Sequence, residues 1–350
     1  MSPFAAELIE QLAGHPGYEL AGIIAERSDN PQQGRQWPIL GTLADFDRIV
    51  NRVKPDLIVV ATADRRGSVP VRQLLECHIR NGVEVVDGAA LYEQLIGALE
   101  VSTMTPAGVL FSRDFQPSRW RRLSTRALGL VVSAMASVVV APVCLVIALA
   151  IKLDSPGPVF FIQERLGAFA RPFKLIKFRT MTPTSACTSE WVRDNTGRIT
   201  RVGAWLRKFR LDELPQLINV FKGDMNLVGP RPHPIDNSET LTMLARNLCE
   251  MSGIDIPYYS LRCQVRPGIT GWAQVRYGYA NDFAEELEKL RYDLYYVKHC
   301  SLRLDVRILF ETVNVVLRGR DSTALARPAA ELPAADTSRL SRKPTHAKTA

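Results

Sequence analysis

The chain has 350 residues and 46% hydrophobic content, enough to bury two ordinary cores. Lysine and arginine outnumber aspartate and glutamate, 44 to 36, for a net charge of +8. That favours an anionic partner: nucleic acid, an acidic membrane surface or a phosphorylated substrate. Six cysteines (Cys77, Cys144, Cys187, Cys249, Cys263 and Cys300) form no C-x-x-C pair and no regular spacing. This argues against a zinc site or disulfide framework and fits a reducing compartment.

The N-terminal Met-Ser-Pro-Phe-Ala-Ala-Glu lacks the basic-then-apolar layout of a signal peptide. Residues 1–110 alternate two patterns. Ala5–Ala13 reads as a helix, Tyr18–Ala25 as a strand, and Asp56–Ala63 as a buried strand of the parallel-sheet kind. A helix follows with Val71, Leu74, Leu75 and His78 at i, i+3, i+4 and i+7, then a strand over Val83–Val86. The alternation predicts a small doubly wound α/β domain. A dinucleotide-binding unit opens on a strand and a G-x-G-x-x-G turn. Here a helix stands almost at Met1 instead, so we read an incomplete Rossmann-like domain with a scaffold or regulatory role. His78 reads as a packed residue rather than a ligand.

A basic linker, 111–126, carries Arg113, Arg119, Arg121, Arg122 and Arg126 into an apolar segment. Ala127–Ile151 holds 25 residues without a charge or histidine. It is long enough for about 37 Å of helix against a hydrocarbon core of about 30 Å. Residues 127–153 are therefore expected in a membrane. Pro142 stands mid-segment, where it kinks a helix, and Lys152, Arg165, Arg171 and Lys174 make the far side as basic as the near one. With no positive-inside asymmetry to orient a span, the expected form is a re-entrant hairpin that enters and leaves by one face.

Residues 154–320 read as an α+β domain. A turn and strand cover Asp154–Gly167, and Pro172–Met181 is a second strand, with Lys174, Lys177 and Arg179 clustered on it in a way that suits a phosphate site or a solvated face alike. Thr182–Asn195 reads as a loop and Arg201–Phe209 as a basic helix. Next come adjacent carboxylates, Asp212 and Glu213, flanked by Arg207, Lys208 and Arg210, with Leu214, Leu217, Ile218 and Phe221 at helical spacing behind them. This pattern is equally met by an N-cap with solvated partners and by an acid, base and anion site. Gly229-Pro-Arg-Pro232 mounts Arg231 on a restricted, extended backbone. Arg266-Pro-Gly predicts a type II turn followed by a strand, with Trp272 in the core or at an interface. Two amphipathic helices fill 283–319; arginines beside their apolar stripes, with Tyr292, Tyr295 and Tyr296, place them on an anionic membrane surface or in an ordinary core. Residues 321–350 read as a disordered tail.

From about Arg119 to Arg320 the sequence resembles the bacterial sugar transferases, the polyprenyl-phosphate hexose-1-phosphate transferases. The resemblance rests on Gln163-Glu-Arg-Leu-Gly, Lys177-Phe-Arg-Thr-Met, Arg210-Leu-Asp-Glu-Leu-Pro-Gln-Leu, Asn219-Val-Phe-Lys-Gly-Asp-Met, Val228-Gly-Pro-Arg-Pro and Arg266-Pro-Gly-Ile-Thr-Gly-Trp-Ala-Gln-Val, in the family's order. The front domain is similar to the CoA-binding-like domain of the family's larger members. Against those members the chain looks truncated or wrongly started, lacking four membrane helices and the domain's first strand. Ala168-Phe169-Ala170 stands where a glycine-containing turn is expected, Ala141-Pro142 where small members often have Ser-Pro, and His233 where an acidic residue is common.

The resemblance implies a reaction. A UDP-sugar donates sugar-1-phosphate to undecaprenyl phosphate and UMP leaves, at the cytoplasmic face of the bacterial inner membrane, as the first step of exopolysaccharide or other surface-glycan synthesis. By the same resemblance Asp212 is the nucleophile of a phosphosugar-aspartyl intermediate, Asp212 with Glu213 is the expected Mg2+ site, and Glu213 helps hold the ion or assists deprotonation of the lipid phosphate. Arg207 and Arg231 clamp phosphate oxygens, with Lys177 and Arg179 weaker choices for the same work. The expected partners are the UDP-sugar, undecaprenyl phosphate and membrane lipids, with no nucleic acid and with homo-oligomerisation open. Sugar specificity would lie in loops such as Thr182–Asn195 or Ile235–Tyr259. The rival readings are a membrane glycosyltransferase releasing UDP, a non-catalytic scaffold in a polysaccharide assembly complex, and a nucleic-acid-binding role that the charge permits but no base-stacking or helix-reading motif supports.

Overall fold

The computed structural model describes residues 2–25, 37–61, 69–112, 114–116, 118–182, 197–235, 258–277 and 283–318. The expected tail, the body of the Thr182–Asn195 loop and most of Ile235–Tyr259 lie outside these residues. The chain divides after Thr103 into two compact units.

The first unit carries helices α1 (Pro3–Ala13), α2 (Phe46–Val53), α3 (Val71–Asn81) and α4 (Gly88–Ile96). Its strands are β1 (Ile23–Ala25), β2 (Ile39–Thr42), β3 (Leu57–Val60) and β4 (Glu84–Asp87). In α2, Phe46, Ile49 and Val50 recur at helical spacing and are buried. Phe46 and Val50 pack with Leu74 and Cys77 of α3 and with Val83. The strands pair β1 with β2 and β3 with β4, both parallel, as two separate ladders. The alternation of elements is as expected, but the single doubly wound sheet is not drawn, because no ladder joins the two pairs among the described residues. His78 corrects another expectation. It is exposed, with Nδ1 2.8 Å from the Val83 carbonyl oxygen, and so stands outside the core.

The second unit opens with α5 (Pro106–Phe111) and α6 (Arg119–Asp154), a single helix of 36 residues. The stretch expected as a linker thus carries the end of α5 and the first turns of α6. Ser118 caps α6 by accepting from the Arg121 backbone N–H at 3.2 Å. Pro142 lies inside the helix, so the expected turn-back is not present as a break in the backbone. Among the described residues α6 is the one helix long and apolar enough to cross a membrane. Its middle is bare: Val138 is 78% exposed and Leu145 74%.

Both ends of α6 are nevertheless fastened to the same unit. Near its start, the Arg126 guanidinium donates to the carbonyls of Phe221 at 3.3 Å and Met225 at 3.1 Å. Near its end, Ile147 and Ile151 pack with Phe178 and Leu206, and Asp154 accepts from the Val202 backbone N–H at 3.1 Å.

Beyond α6, β5 (Phe160–Leu166) and β6 (Pro172–Phe178) form an antiparallel hairpin with Lys177 opposite Phe161. Then come α7 (Arg201–Lys208), a one-turn 3-10 helix (Leu211–Glu213), α8 (Gln216–Lys222) and β7 (Asn226–Val228). They are followed by α9 (Tyr258–Leu261), β8 (Gly268–Thr270), α10 (Trp272–Arg276), α11 (Phe283–His299) and α12 (Leu302–Arg318).

β7 and β8 pair in parallel, and their contact explains two glycines. A Cβ on Gly229 would lie 2.4 Å from the Arg266 carbonyl oxygen, and one on Gly268 2.1 Å from the Gly229 backbone nitrogen. Gly268 is absent from the positive-φ residues, so the expected type II turn is replaced by close backbone approach. Trp272 is core, packed with Val228, Val275, Tyr296 and Ile308. Tyr292, Tyr295 and Tyr296 join that core rather than an interface. On α12 the stripe Leu302, Val306, Phe310 and Val313 is exposed.

Candidate active site

Asp212 and Glu213 occupy the one-turn 3-10 helix between α7 and α8. Arg210 precedes it in a left-handed conformation (φ 55°, ψ 23°), which turns the chain sharply and presents the two carboxylates together. Neither acts as a cap. The turn has no side-chain capping bond, and α8 starts after Pro215, also without one. The local alternative read from the sequence, an N-cap with solvated partners, is therefore not what the fold uses.

The apolar spacing behind the pair is also misleading. Ile218 and Phe221 are exposed, whereas α8 buries Gln216, Asn219 and Val220. Asn219 explains the inversion. Its Oδ1 accepts from the Ile176 backbone N–H at 3.1 Å, and its Nδ2 donates to the Lys174 carbonyl at 2.7 Å. This fully buried amide stitches α8 to β6 and fixes the strand that carries Lys177.

Three of the expected residues meet the carboxylates in different ways. Arg231 Nη2 donates to Glu213 Oε1 at 2.7 Å. Lys177 and Arg207 act on Asp212 through charge, and Arg207 Nη1 is buried with no hydrogen-bond partner. Asp212 itself makes no hydrogen bond or ion pair among the described residues. Burial and the neighbouring Glu213 charge push its carboxyl up to about 6, against the pull of Lys177, Arg231 and Arg207. Burial would raise Glu213 too, but the charges of Arg231, Lys177 and Arg210 and the Arg231 hydrogen bond hold it well below the usual carboxylate range. Burial and the Arg231 charge bring Lys177 down to about 8. One carboxylate is thus locked to an arginine while the other is unbonded and harder to ionise.

Arg179 is placed elsewhere. Its guanidinium donates to the Ser155 carbonyl at 2.7 Å, Ser155 Oγ at 2.9 Å and the Pro156 carbonyl at 3.1 Å. It closes the C-terminal end of α6, and its cation is spent there rather than on a phosphate.

A second polar layer, not legible in the sequence, holds Arg231 from behind. Arg262 Nη2 donates to the Arg231 carbonyl at 2.8 Å and to Asp293 Oδ2 at 2.7 Å, while Nη1 donates to Tyr259 Oη at 2.8 Å. Arg165 Nη1 donates to the Pro232 carbonyl at 3.1 Å. His233 lies 3.6 Å from Glu286; burial and the Arg262 and Lys289 charges keep it neutral. No local pattern links Arg262 with Asp293, which lie 31 residues apart. Asn219 did fall inside a quoted motif.

The two carboxylates fit a Mg2+ ion, which takes one or two carboxylates beside substrate phosphates. Asp212 is unbonded, and Glu213 uses Oε1 on Arg231. No third histidine, cysteine or carboxylate makes a metal cluster with them among the described residues.

The model of a family described as bacterial sugar transferase matches residues 120–319. Over 195 residues the chain is 43% identical to a UDP-N-acetylgalactosamine-undecaprenyl-phosphate N-acetylgalactosaminephosphotransferase of Aeromonas hydrophila, covering 55% of this chain and 44% of that protein. It is 41% identical over 195 residues to a UDP-glucose:undecaprenyl-phosphate glucose-1-phosphate transferase of Escherichia coli (strain K12), covering 55% and 40%. It is 44% identical over 201 residues to the exopolysaccharide production protein PSS of Rhizobium leguminosarum bv. phaseoli, covering 56% of this chain and 96% of that protein. The match thus spans about two-fifths of the first two relatives and nearly all of the third.

Proposed function

The chain belongs to the bacterial sugar transferase family, and from that membership we propose that it transfers a sugar-1-phosphate from a UDP-sugar to undecaprenyl phosphate, releasing UMP. The observation that carries the reading is the asymmetric pair: Glu213 fixed by Arg231 at 2.7 Å, and Asp212 beside it unbonded and surrounded by cations. A pair built only for stability would satisfy both members. An unbonded carboxylate among Lys177, Arg207 and Arg231 suits attack on a phosphorus whose oxygens those cations hold.

In this reading an Asp212 oxygen forms a bond to the sugar-bearing phosphorus. The phosphoanhydride bond to the nucleotide breaks, and its electron pair leaves on UMP. An oxygen of undecaprenyl phosphate then attacks the same phosphorus, the aspartyl–phosphorus bond breaks, and the Asp212 carboxylate returns. Glu213 orients the Arg231 guanidinium and Arg262 holds the Arg231 backbone carbonyl, so the fork is set before substrate arrives. Arg207 brings an unpartnered guanidinium nitrogen to the same place. Mg2+, when bound by Asp212 and Glu213, offsets repulsion between carboxylate and diphosphate.

The apolar surface fits a membrane-bound acceptor. A straight helix of 36 residues is about 54 Å long, and a simple span separates its ends across the bilayer. Here both ends of α6 are held by one unit, with Arg126 at one and Asp154 at the other. That supports a re-entrant helix with both ends at the cytoplasmic face of the bacterial inner membrane, and a site at headgroup level. The test is nucleotide release from purified membranes given undecaprenyl phosphate, Mg2+ and a panel of UDP-sugars. UMP that requires the lipid phosphate supports the proposal, whereas UDP, or no nucleotide with any donor, overturns it.

A further inference from the structure

A cavity of about 430 Å³ opens in the second unit away from the carboxylate pair, lined by Arg121, Arg122, Arg171, Arg266 and Asp224 among others. Two elements measure its separation from the pair. β6 puts Phe173 on the cavity wall and Lys177 beside the carboxylates, about 13 Å further along at about 3.3 Å per residue. α8 has the pair before its first turn and Gly223, a wall residue, just past its last. The two sites sit at opposite ends of the same elements.

The wall carries four guanidinium groups against one carboxylate, and Asp224 is already engaged by Asn219 Nδ2 at 3.2 Å. The side chains of Arg122, Arg171 and Arg266 make no hydrogen bond or ion pair among the described residues. Several unopposed arginines around one concavity repel each other and are best satisfied by an anion with several acceptor oxygens.

The surroundings identify where that anion comes from. Arg121 and Arg122 lie in the first turn of α6, beside Trp120, which is 81% exposed, and Leu123, also exposed. Phe169, another wall residue, is 65% exposed on a turn in which both Phe169 and Ala170 adopt positive φ, 56° each. Holding bulky L-residues there is strained, and the turn presents an aromatic ring outward next to Arg171. Exposed apolar side chains next to the arginines of this hollow match an interface where a lipid puts its phosphate among cations and its chains among apolar groups.

We propose that this cavity is a second anion site, distinct from the carboxylate pair, which holds the phosphate of an anionic membrane lipid. The proposal rests on the membrane placement of α6 argued above, but not on any transfer reaction.

The test measures binding to the purified chain in neutral detergent, without nucleotide or acceptor, by native mass spectrometry and ligand titration. The probes are short-chain phosphatidylglycerol, short-chain phosphatidylcholine and inorganic phosphate. Phosphatidylglycerol is expected to bind most tightly. Arg171→Gln and Arg266→Gln, both exposed positions whose melting temperature reports intact folding, are each expected to weaken it by about tenfold, the loss carried by one charge-assisted hydrogen bond. Arg231→Gln, at the other site, is expected to leave it unchanged. Inorganic phosphate binding as tightly as the lipid would overturn the lipid assignment, and undiminished binding in both cavity variants would overturn the site. A chain that binds the lipid but releases no nucleotide would leave the cavity standing and remove the transferase reading alone.

Discussion

Arg231 places Nη2 2.7 Å from Glu213 Oε1 and leaves Asp212, the adjacent residue, without a hydrogen bond among the described residues. In the proposed reaction these two neighbouring carboxylates with unlike surroundings divide their tasks: the bonded one orients the arginine and the unbonded one would react. Asp212→Asn is therefore expected to lower UMP release by at least about 10³-fold, the scale on which removing an essential nucleophile acts. The phosphosugar adduct, sought by mass spectrometry of the quenched enzyme, should vanish with it. An adduct that persists in Asp212→Asn moves the nucleophile to another side chain.

The same pair sets a pH profile. Asp212, pushed up to about 6, loses its reactive form as pH falls below that value, and Lys177, brought down to about 8, loses its charge as pH rises above it. kcat/KM is expected to be bell-shaped between these limits. Lys177→Arg, whose guanidinium stays charged, should move the alkaline limb upward while leaving the acid limb in place. An alkaline limb unmoved in that variant assigns it to another group.

Stability follows with the opposite sign to activity. The folded-state carboxyl of Asp212 lies above its ordinary value of 3.8, so between that value and about 6 the folded chain holds a proton that the unfolded chain has released. Stability from this group falls as pH rises through the window, and the penalty remains at neutral pH. Asp212→Asn should thus stabilise the protein at pH 7.5 by about 1–3 kcal/mol, a gain that fades as pH approaches 4. Denaturant midpoints at the two pH values measure it, and equal midpoints for variant and parent at pH 7.5 would contradict the charged, desolvated carboxylate.

How much of this was legible in the sequence differs by residue. Asp212, Glu213, Arg207, Lys177 and Arg231 stand out as charged residues in short motifs, and the fold brings them together. Arg179 has the same look and a different task, because its partners are backbone carbonyls at the end of α6, which no side-chain pattern announces. The α8 periodicity also misled: Ile218 and Phe221 form a helical stripe, yet the buried face belongs to Asn219, whose amide satisfies two backbone groups of β6. Apolar period locates a core only where water is the alternative solvent; beside an apolar helix such as α6, exposed apolar residues lose that meaning. The parallel strands of the first unit were visible as β-branched runs, but whether their ladders join is a tertiary matter.

Asn219 offers a stability test of that second kind. Its side chain bonds the Ile176 N–H, the Lys174 carbonyl and Asp224 while fully buried. Asn219→Ala strands an N–H and a carbonyl in the interior, and a loss of about 2–4 kcal/mol is expected. Because β6 carries Lys177, activity should fall at temperatures where the variant is still folded. Asn219→Asp keeps the acceptor but turns a carboxylate oxygen toward the Lys174 carbonyl and the Asp224 carboxylate, so it should lose at least as much. Denaturation curves for the two variants within about 0.5 kcal/mol of the parent, the range of a surface change, would show that the amide does not fasten α8 to β6.

The placement of α6 is open to a direct measurement. Ser118 caps one end of the helix and Ser155 the other, where its carbonyl accepts from Arg179. Because Arg126 and Asp154 tie both ends to one unit, single cysteines at Ser118 and Ser155 should both react with a membrane-impermeant maleimide in inside-out vesicles and neither in intact spheroplasts. The background is a chain with its native cysteines replaced, so that Cys144 within the helix contributes no signal. A cysteine at Val138, in the bare middle of α6, should resist the reagent in both preparations while the bilayer is intact and react once detergent removes it. Opposite labelling of the two ends would mean that α6 crosses the bilayer. The contacts at one end would then have to separate, and the site would no longer be tied to the membrane at both ends of the helix. Labelling at all three positions without detergent would instead mean that the apolar middle is covered by protein rather than lipid.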